Sequence, residues 1–356
     1  NISIYLLFVT RYIFSIGYWI GLDCTQPTIY LKMGMCCSTP VDIEKRIGYK
    51  VIKGHTGKIN SVAISSDNTF IISGSNDKTI RIWDVVSGEC IKILEGHNSR
   101  ISSVALSKNN NDQFIVSGSW DKTVRLWDRV TGESIKTFCG HSFFVSCVDI
   151  SPNSKYIVSS GSEDKTARIW DVETGECCKV LGVGREVISV CFSNDNQFVL
   201  SGDDAYFRLW DVETGHCTRE IRGGTRAKVA LSSNCKYIVT AKGRIVSLVD
   251  VEKFETIKEF EGHTTSVESL FLSANDQWIV SGAGHADDFV RLWNVETGKH
   301  TRLKSGGASG QDIDSVVFSA DNRYIVSGAG GWGMCLWNVE SITCKNVDTR
   351  TENPLQ

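Results

Sequence analysis

The sequence predicts an all-β protein in which seven small antiparallel sheets close into a ring. Three observations support this prediction. An aliphatic residue, tryptophan and aspartate or asparagine recur as a unit, successive units lie 39 to 44 residues apart, and apolar residues alternate with polar ones inside each unit. A period of roughly 40–45 residues with alternating apolar positions is typical of four-stranded propeller blades. We therefore predict a seven-bladed β-propeller of four-stranded antiparallel blades.

The seven units follow one another without a proline-rich or serine-rich linker between them. They are Ile82-Trp83-Asp84, Leu126-Trp127-Asp128, Ile169-Trp170-Asp171, Leu209-Trp210-Asp211, Leu248-Val249-Asp250, Leu292-Trp293-Asn294 and Leu336-Trp337-Asn338. In the first repeat the alternation and the turn residues predict strands over 59–64, 70–73, 79–83 and 89–94.

Ring closure sets the domain organisation, because a row of four-stranded sheets leaves two apolar ends unless it closes on itself. We expect one propeller domain over residues 46–347, preceded by a leader over 1–45 and followed by a tail over 348–356. Two segments compete for the outer edge of blade seven, namely 46–52 and 342–347. We favour the N-terminal segment.

Composition limits the classes of partner. The 356 residues carry a formal net charge of −3, so the chain lacks the broad positive field that drives binding to nucleic acid. Among the 13 cysteines, Cys90, Cys177, Cys217 and Cys344 each follow a tryptophan by seven residues. We interpret this repeated position as one for a small buried strand residue and not as part of a disulfide framework.

Within the repeats, a Gly-His pair precedes Ser-Gly-Ser-x-Asp-Lys-Thr-x-Arg-Ile/Leu-Trp-Asp, and this pattern resembles the WD-repeat family. The resemblance covers about 300 of the 356 residues. It implies a propeller that binds other proteins and uses no cofactor. It also implies that a histidine, a serine, an aspartate and the tryptophan form a tetrad inside each blade.

Four repeats carry the full tetrad set. The residues are His55, Ser73, Asp77 and Trp83; His97, Ser117, Asp121 and Trp127; His141, Ser160, Asp164 and Trp170; and His263, Ser281, Asp287 and Trp293. A serine, a histidine and an aspartate suggest a nucleophilic triad, but four copies in strands and tight turns favour a structural role. The donors and acceptors of these four side chains match one another.

Three repeats depart from this pattern. Repeat four has Val183 at the histidine position while keeping Asp204 and Trp210. Repeat five has glycines at the histidine and aspartate positions and Val249 at the tryptophan position, and repeat seven has Gly331 at the aspartate position. We expect blades five and seven to be the softest.

The sequence contains no motif that predicts an enzyme. The pairs Gly57-Lys58 and Gly298-Lys299 lack the glycine spacing and the Ser/Thr of a phosphate loop. Neither His-Glu-x-x-His nor Cys-x-x-Cys occurs, so we expect no catalytic residues, no metal and no cofactor.

The resemblance implies that partners bind the face with the loops between strands four and one and the turns between strands two and three, called the loop face below. The residues that map there are Lys58, Asn76, Arg100, Trp120, Phe144, Glu163, Glu186, Asp203, Asp312 and Asp314. Exposed tryptophan is a common binding hot spot. We hypothesise that Trp120, Phe144 and Arg100 centre the partner site; the alternative is solvated loop residues with the aromatics packed sideways on neighbouring turns.

The first 45 residues leave the start of the protein open. Residue 1 is asparagine, which suggests a fragment or a frame read upstream of the true start, and residues 2–22 are apolar apart from Arg11. A start at Met33 gives a myristoylation pattern at Gly34 with Cys36 and Cys37 as palmitoylation candidates. We expect the protein in the cytoplasm, and at a membrane if these residues are acylated. The alternative to an acylated N-terminus is a plain disordered leader.

These observations favour a non-catalytic protein–protein interaction scaffold, expected to be a monomeric propeller within a complex. The alternative is a substrate-recognition or regulatory module of a larger assembly, or a piece of a longer protein with a catalytic domain upstream. Membership of an RNA-processing complex is allowed by the fold but is not suggested by the charge. Fold alone does not decide among these functions.

Overall fold

The computed structural model describes residues 49–108, 112–222, 228–253, 255–284, 287, 289–304, 312–329 and 333–343. The chain divides into two compact units, Asn1–Ile43 and Glu44–Gln356. All described residues belong to the second unit. The predicted leader and its candidate lipidation residues Gly34, Cys36 and Cys37 therefore lie outside the described residues.

The second unit consists of seven four-stranded antiparallel sheets, which confirms the predicted fold class. The first strand of the chain is β1 (Tyr49–Lys53). Blade 1 contains β2 (Ile59–Ile64), β3 (Phe70–Ser75), β4 (Ile80–Asp84) and β5 (Cys90–Leu94); blade 2 contains β6 (Ile101–Leu106), β7 (Phe114–Ser119), β8 (Val124–Asp128) and β9 (Ser134–Phe138); blade 3 contains β10 (Val145–Ile150), β11 (Tyr156–Gly161), β12 (Thr166–Asp171) and β13 (Cys177–Gly182).

The remaining blades repeat this meander. Blade 4 contains β14 (Val187–Phe192), β15 (Phe198–Asp203), β16 (Tyr206–Asp211) and β17 (Cys217–Arg222); blade 5 contains β18 (Lys228–Leu231), β19 (Tyr237–Lys242), β20 (Ile245–Asp250) and β21 (Thr256–Phe260); blade 6 contains β22 (Val267–Leu272), β23 (Trp278–Ala283), β24 (Phe289–Asn294) and β25 (His300–Lys304). Blade 7 contains β26 (Ile313–Phe318), β27 (Tyr324–Ala329), β28 (Gly333–Asn338) and β1, and a short helix, α1 (Val339–Thr343), follows β28.

Blade 7 is closed by the N-terminal strand, as predicted. Strand β1 pairs antiparallel with β28, and Tyr49 lies opposite Trp337. The competing segment begins in α1, where Ile342 is buried in the core between blades 6 and 7. The two ends of the ring are thereby joined in one sheet, so no blade is left with an unpaired apolar face.

Each of the six repeat tryptophans packs into the interface between its own blade and the preceding one. Trp127 of blade 2, for example, packs against Ile72 and Ile80 of blade 1 and is almost completely buried. The interface between blades 4 and 5 has Val249 at this position, and its buried cluster is the smallest of the seven among the described residues. Loss of the large aromatic side chain removes much of the apolar area that holds two blades together.

The inner strands of neighbouring blades are joined by serine hydroxyls. The Oγ atoms of Ser61, Ser103, Ser269 and Ser315 accept backbone N–H groups of the next blade's first strand at 3.0, 3.1, 2.9 and 3.0 Å. The first strand is the edge of its sheet and lacks a strand partner on that side. These bonds satisfy buried edge donors that would otherwise weaken the core.

On the outer rim, lysine side chains connect neighbouring blades. The Nζ atom of Lys50 donates to the carbonyl of Val86 at 2.6 Å, and Lys136 and Lys258 donate to Val172 and Val295 at 3.1 Å each. Lys92 makes the same contact with Val130. In every case the lysine comes from the outer strand and the carbonyl from the turn between the last two strands of the next blade.

Four blades contain the complete tetrad. In blade 1 the Nδ1 atom of His55 lies 2.7 Å from Asp77 Oδ2, its Nε2 lies 2.7 Å from Ser73 Oγ, and Trp83 Nε1 donates to Ser73 Oγ at 2.8 Å. An ionised carboxylate only accepts, so Nδ1 carries the proton, and the serine donates to Nε2 while it accepts from the indole. Blades 2, 3 and 6 contain the same three hydrogen bonds, and their lengths differ from those in blade 1 by at most 0.2 Å.

The tetrad aspartate also holds the turn after the second strand. Asp77 Oδ1 accepts the backbone N–H and the hydroxyl of Thr79 at 3.0 and 2.7 Å. Burial alone would raise the pKa of Asp77, but the hydrogen bonds from His55 and Thr79 outweigh it and hold the pKa far below its usual range. The carboxylate therefore stays ionised and fixes both the histidine and the turn.

In blade 3 the predicted tetrad serine, Ser160, is wrong, because Ser159 takes that position. Ser159 Oγ lies 2.7 Å from His141 Nε2 and accepts Trp170 Nε1 at 2.8 Å, whereas Ser160 Oγ lies 2.8 Å from Ser146 Oγ. Between the tetrad serine and the tetrad aspartate, blade 3 has one more residue than blade 1. Counting back from the aspartate therefore selects the wrong serine, while the strand register places Ser159 opposite Arg168, as Ser73 lies opposite Arg81.

The incomplete tetrads leave buried polar groups unsatisfied. Among the described residues, the Oγ1 atom of Thr240 in blade 5 has no hydrogen-bond partner, and the same holds for Ser327 Oγ and Trp337 Nε1 in blade 7. Blade 4 retains the bond from Trp210 Nε1 to Ser201 Oγ at 2.8 Å, and Val183 fills the histidine position with an apolar side chain. Because an unpaired buried polar group destabilises its surroundings, blades 5 and 7 remain the predicted soft blades.

The expectation that the repeated cysteine station is buried is wrong. Cys90 and Cys217 are exposed and Cys177 is half-buried, while Cys344 lies outside the described residues. All three described residues begin the outer strand of a blade, as the sequence predicts. That strand has a free outer edge, so repetition of a small residue there does not require burial.

We expect Asp77→Ala to lower the free energy of unfolding by about 1–3 kcal/mol, because His55 and Thr79 lose their buried acceptor. The pKa of Asp77 is depressed in the folded state, so its contribution is present above the ordinary aspartate pKa and is lost as the pH falls. Urea unfolding at neutral and acidic pH measures both effects. Asp204→Ala is the matched control, since Asp204 is half-exposed on the equivalent turn of blade 4; equal loss in both variants would contradict the prediction.

We expect Thr240→Val to leave stability unchanged or raise it by up to about 1 kcal/mol, because it removes an unpaired buried hydroxyl without changing the branched shape. Ser73→Ala, which removes a hydroxyl that bonds His55 and Trp83, should instead destabilise. The measurement is the urea midpoint of each variant. A midpoint for Thr240→Val as low as that of Ser73→Ala would show that the two hydroxyls do not differ.

Candidate functional site

The hypothesised centre of the partner site is a continuous stack on the loop face of blades 2 and 3. The rings of Trp120 and Phe144 lie parallel, with centroids 4.2 Å apart and planes 7° apart. Arg100 covers the other face of the indole, with its Cζ atom 3.1 Å from the ring centroid. Phe143 packs against Phe144 in a tilted arrangement, with centroids 4.8 Å and planes 48° apart. The structure thus brings together all three residues that the sequence singled out.

The backbone holds the members of the stack in place. The backbone N–H of Trp120, in the turn between β7 and β8, donates to the carbonyl of Arg100 at 3.0 Å, and Ser119 Oγ donates to the same carbonyl at 3.0 Å. One blade further, the N–H of Ser162 donates to the carbonyl of Phe144 at 3.1 Å. The side chains are therefore carried on two hydrogen-bonded turns and not on free loops.

The stack is both packed and open to solvent. Trp120 is 40% exposed, although both faces of its indole are covered, so the ring presents its edge to solvent. Phe143, Phe144 and Arg100 are half-buried. The sideways packing of the aromatics matches the alternative interpretation of these residues, while the exposure of Trp120 matches the hypothesis of a binding surface.

The guanidinium of Arg100 has no counter-ion among the residues that the structure describes. Its side chain makes no hydrogen bond or ion pair with a described residue. Burial against the stack lowers the pKa of Arg100 from its ordinary value, though the group stays charged at neutral pH. A planar cation fixed on an indole with its N–H donors unused is suited to accept a carboxylate or another oxyanion.

Lys58, another predicted binding residue, forms ion pairs within the propeller. Its Nζ atom lies 2.9 Å from Asp314 and 3.2 Å from Asp312, so it joins blade 1 to blade 7. Burial alone would lower the pKa of Lys58, but the two carboxylates raise it above its ordinary value. Burial raises the pKa of Asp314 in spite of the lysine. These three residues form a half-buried ion cluster and offer little free charge to a partner.

The other predicted residues of the loop face surround the stack with mixed polarity. Asn76 Oδ1 accepts the side-chain amide of Asn60 at 2.9 Å, and Glu186 accepts the hydroxyl of Ser162 at 2.5 Å. Glu163 is exposed on the turn after β11. The acidic residues lie on blades 3 and 4, on the far side of the stack from Arg100.

The assignment of Asp203 to the binding surface is wrong. Its side chain is completely buried, Oδ1 accepts the N–H groups of Ala205 and Tyr206 at 2.6 Å each, and Oδ2 contacts Arg208. Asp204, expected at the tetrad position, is instead half-exposed and lies 3.4 Å from Arg185. The turn between β15 and β16 is shorter than that of blade 1, so the first of the two aspartates falls at the end of the strand and points inward.

Sequence reasoning missed four residues beside the stack. Phe143 belongs to it, and Lys78, Lys122 and Lys165 are exposed on the turns of blades 1, 2 and 3. The repeated Asp-Lys-Thr motif was a usable signal for the lysines, because it places one lysine on the same turn of three neighbouring blades.

The described residues contain no group of three or more histidine, cysteine, aspartate or glutamate side chains suited to a metal ion. Within that same part of the chain, helices of the length and apolarity needed to cross a bilayer are absent. A cleft of about 200 Å³ between blades 5 and 6 is lined by Tyr237, Leu248, Ile257, Leu272, Asp276 and Val295. Its carboxylate, Asp276, already accepts the hydroxyl and N–H of Ser233, so the cleft has the character of an apolar packing defect.

We expect Lys58→Met to lower stability at neutral pH, because Asp312 and Asp314 lose their shared cation. The raised pKa of Asp314 rises further in the variant, so the destabilisation grows as the pH rises through that pKa and shrinks when Asp314 is protonated. Thermal unfolding at about pH 7 and about pH 4.5 tests the sign. Arg185→Met is the control, since its pair with Asp204 is half-exposed; a Lys58→Met loss independent of pH would contradict the account.

Comparison with known proteins agrees with this geometry. The family model described as "WD domain, G-beta repeat" matches residues 48–84, 88–128, 132–171, 175–211 and 254–294, more than half of the chain.

Among curated proteins, the chain is similar to WD repeat-containing protein 18 of Danio rerio, with 42% identity over 60 residues, which is 15% of this chain and 14% of that protein. It is similar to the Homo sapiens protein of that name, with 44% identity over 43 residues, 12% of this chain and 10% of the relative. A Ribosome biogenesis protein BOP1 homolog of Drosophila grimshawi is 43% identical over 42 residues, 12% of this chain and 5% of the relative. The chain thus spans a seventh or less of these relatives, and the family match over more than half of its length shows that it belongs to the WD-repeat family.

Proposed function

We propose that this protein is a non-catalytic scaffold that binds a partner protein on the loop face, with the stack of Arg100, Trp120 and Phe144 at the centre of the contact. WD-repeat propellers generally bind other proteins. The observation that carries the proposal is a half-open aromatic stack topped by an unpaired guanidinium. Binding energy at protein interfaces concentrates on tryptophan, tyrosine and arginine anchors of this kind.

The rigidity of the stack supports the same function. Trp120 and Phe144 are fixed by each other and by backbone hydrogen bonds of their turns, so little side-chain freedom remains to be lost when a partner binds. Preorganised side chains bind more tightly because less conformational entropy is lost on association. The sheets beneath the turns are held by complete tetrads in blades 1, 2 and 3.

The relatives do not narrow the choice of complex. Their matched segments of 42 to 60 residues are about one to one and a half repeats long, so the similarity is that of the repeat itself. The name Ribosome biogenesis protein belongs to a relative matched over 5% of its length. We propose a partner-binding subunit of a larger assembly, and a regulatory or substrate-recognition role would use the same face.

We expect the double variant Trp120→Ala and Phe144→Ala to lose the principal partner in affinity purification from the protein's own cells, read by quantitative mass spectrometry. Removal of one hot-spot anchor costs about 2 kcal/mol or more, so partner recovery should fall by more than tenfold. Ile135→Ala with Val180→Ala is the matched control, because both residues are about half-exposed on the outer strands of blades 2 and 3. Full retention of every partner by the stack variant, with unchanged unfolding, would refute the proposed site.

A further inference from the structure

Blades 1 to 3 carry four unpaired cations on the loop face, here called the basic arc: Lys78, Arg100, Lys122 and Lys165. The three lysines are exposed and Arg100 is half-buried on the stack. None of the four side chains makes a hydrogen bond or ion pair with a described residue. The arc begins on the turn of blade 1, passes the aromatic stack and ends on the turn of blade 3.

The turn geometry explains why the lysines stay unpaired beside an aspartate. Lys78, Lys122 and Lys165 have positive φ values of 72°, 73° and 58°, which directs the turn around the preceding aspartate. The carboxylate of that aspartate already accepts the hydrogen bonds of the tetrad and its turn. Asp121, for example, accepts His97 at 2.7 Å through Oδ2 and Thr123 at 2.6 Å through Oδ1. No carboxylate oxygen is left over to neutralise the neighbouring lysine.

Three cations elsewhere on the loop face are paired, in contrast to those of the arc. Lys58 lies between Asp312 and Asp314, Arg208 lies between Asp203 and Glu220, and Arg185 faces Asp204. The acidic side chains near the stack, Glu163 and Glu186, lie at its blade 3 and blade 4 side. On blades 1 to 3 the free positive charge of the loop face lies on the arc, and most of it is on blades 1 and 2. The turn of blade 5 carries two further exposed cations, Lys242 and Arg244. The arc is distinguished by the aromatic stack that lies within it.

We propose that the basic arc and the stack together bind an acidic peptide segment of a partner protein. A carboxylate of the segment pairs with the guanidinium of Arg100, further carboxylates pair with Lys122 and Lys78, and an apolar residue packs on the edge of Trp120 and on Phe143. This inference rests on the proposed function and adds the chemistry of the partner. Charge-assisted pairs with a fixed guanidinium are strong and directional.

The distribution of the charge favours several carboxylates over a nucleic acid or a single phosphate. One lysine lies on the same turn of each of three blades, with a single guanidinium on the stack, so the cations are distributed over three repeats. The chain carries a net charge of −3 and lacks the broad positive field that nucleic acid requires. A peptide with spaced aspartate or glutamate residues suits cations that are distributed over three blades.

The test is selection from a random-sequence peptide library displayed on phage, with the full chain as bait. We expect the selected peptides to be enriched in aspartate and glutamate. Replacement of these residues by asparagine and glutamine should weaken binding, measured by fluorescence polarisation, by about tenfold to a hundredfold. Arg100→Gln and Lys122→Gln should each weaken binding of the acidic peptide as well, and raised salt should weaken it further.

Lys155→Gln is the matched control, because Lys155 is an equally exposed lysine on the turn between β10 and β11, at the opposite end of the strands. It should bind the acidic peptide as the wild type does. Selection of peptides without acidic residues, selection of none, or binding indifferent to Arg100→Gln would overturn the inference. A mixed-sequence RNA oligonucleotide that binds through Arg100 more tightly than any acidic peptide would also overturn it.

The same peptides separate this inference from the proposed site. If neutral peptides are selected and are lost with Trp120→Ala and Phe144→Ala, the stack is a binding site but the acidic specificity is wrong. If acidic peptides bind and need Arg100 and Lys122 but not the two aromatics, the arc is confirmed and the proposed centre of the site fails. Loss of acidic peptides in both sets of variants supports both proposals.

Discussion

The antiparallel pairing of β1 with β28 is the contact on which the other features of the propeller depend. Each blade can bury its two faces only against its neighbours, so a ring with an open seam would expose two apolar sheets. Closure with a strand from the start of the domain makes this contact one of the longest-range contacts in the chain. The serine bonds between inner strands and the lysine bonds at the outer rim then act around a closed circle.

The tetrads connect stability to the binding face. The same aspartate that anchors the buried histidine also fixes the turn that displays a lysine or Trp120. Because its two oxygens are occupied by histidine and threonine, the neighbouring lysine remains without a counter-ion. A buried hydrogen-bond chain thereby creates unpaired charge on the surface above it.

The repeats have diverged in ways that are local to single blades. Val183 replaces a tetrad histidine with an apolar side chain, and Ser201 and Trp210 beside it stay paired with each other. Thr240, Ser327 and Trp337, in contrast, keep polar atoms whose partners have been lost. Stability is therefore distributed unevenly around the ring, and the stack lies on the side where the tetrads are complete.

The sequence by itself determined the number of blades, the strand positions and most tetrad residues, because each repeat records the same alternation and the same polar pattern in a short stretch. It also singled out Trp120, Phe144 and Arg100, since large residues at turn positions depart from the repeat. Tertiary structure alone decided which of two adjacent residues faces inward, as with Ser159 against Ser160 and Asp203 against Asp204, because one residue more or fewer in a turn reverses the side on which a strand residue points. It also decided the pairing of charges and rings across blades, since Lys58 with Asp314 and Trp120 with Phe144 meet only when separate repeats pack together.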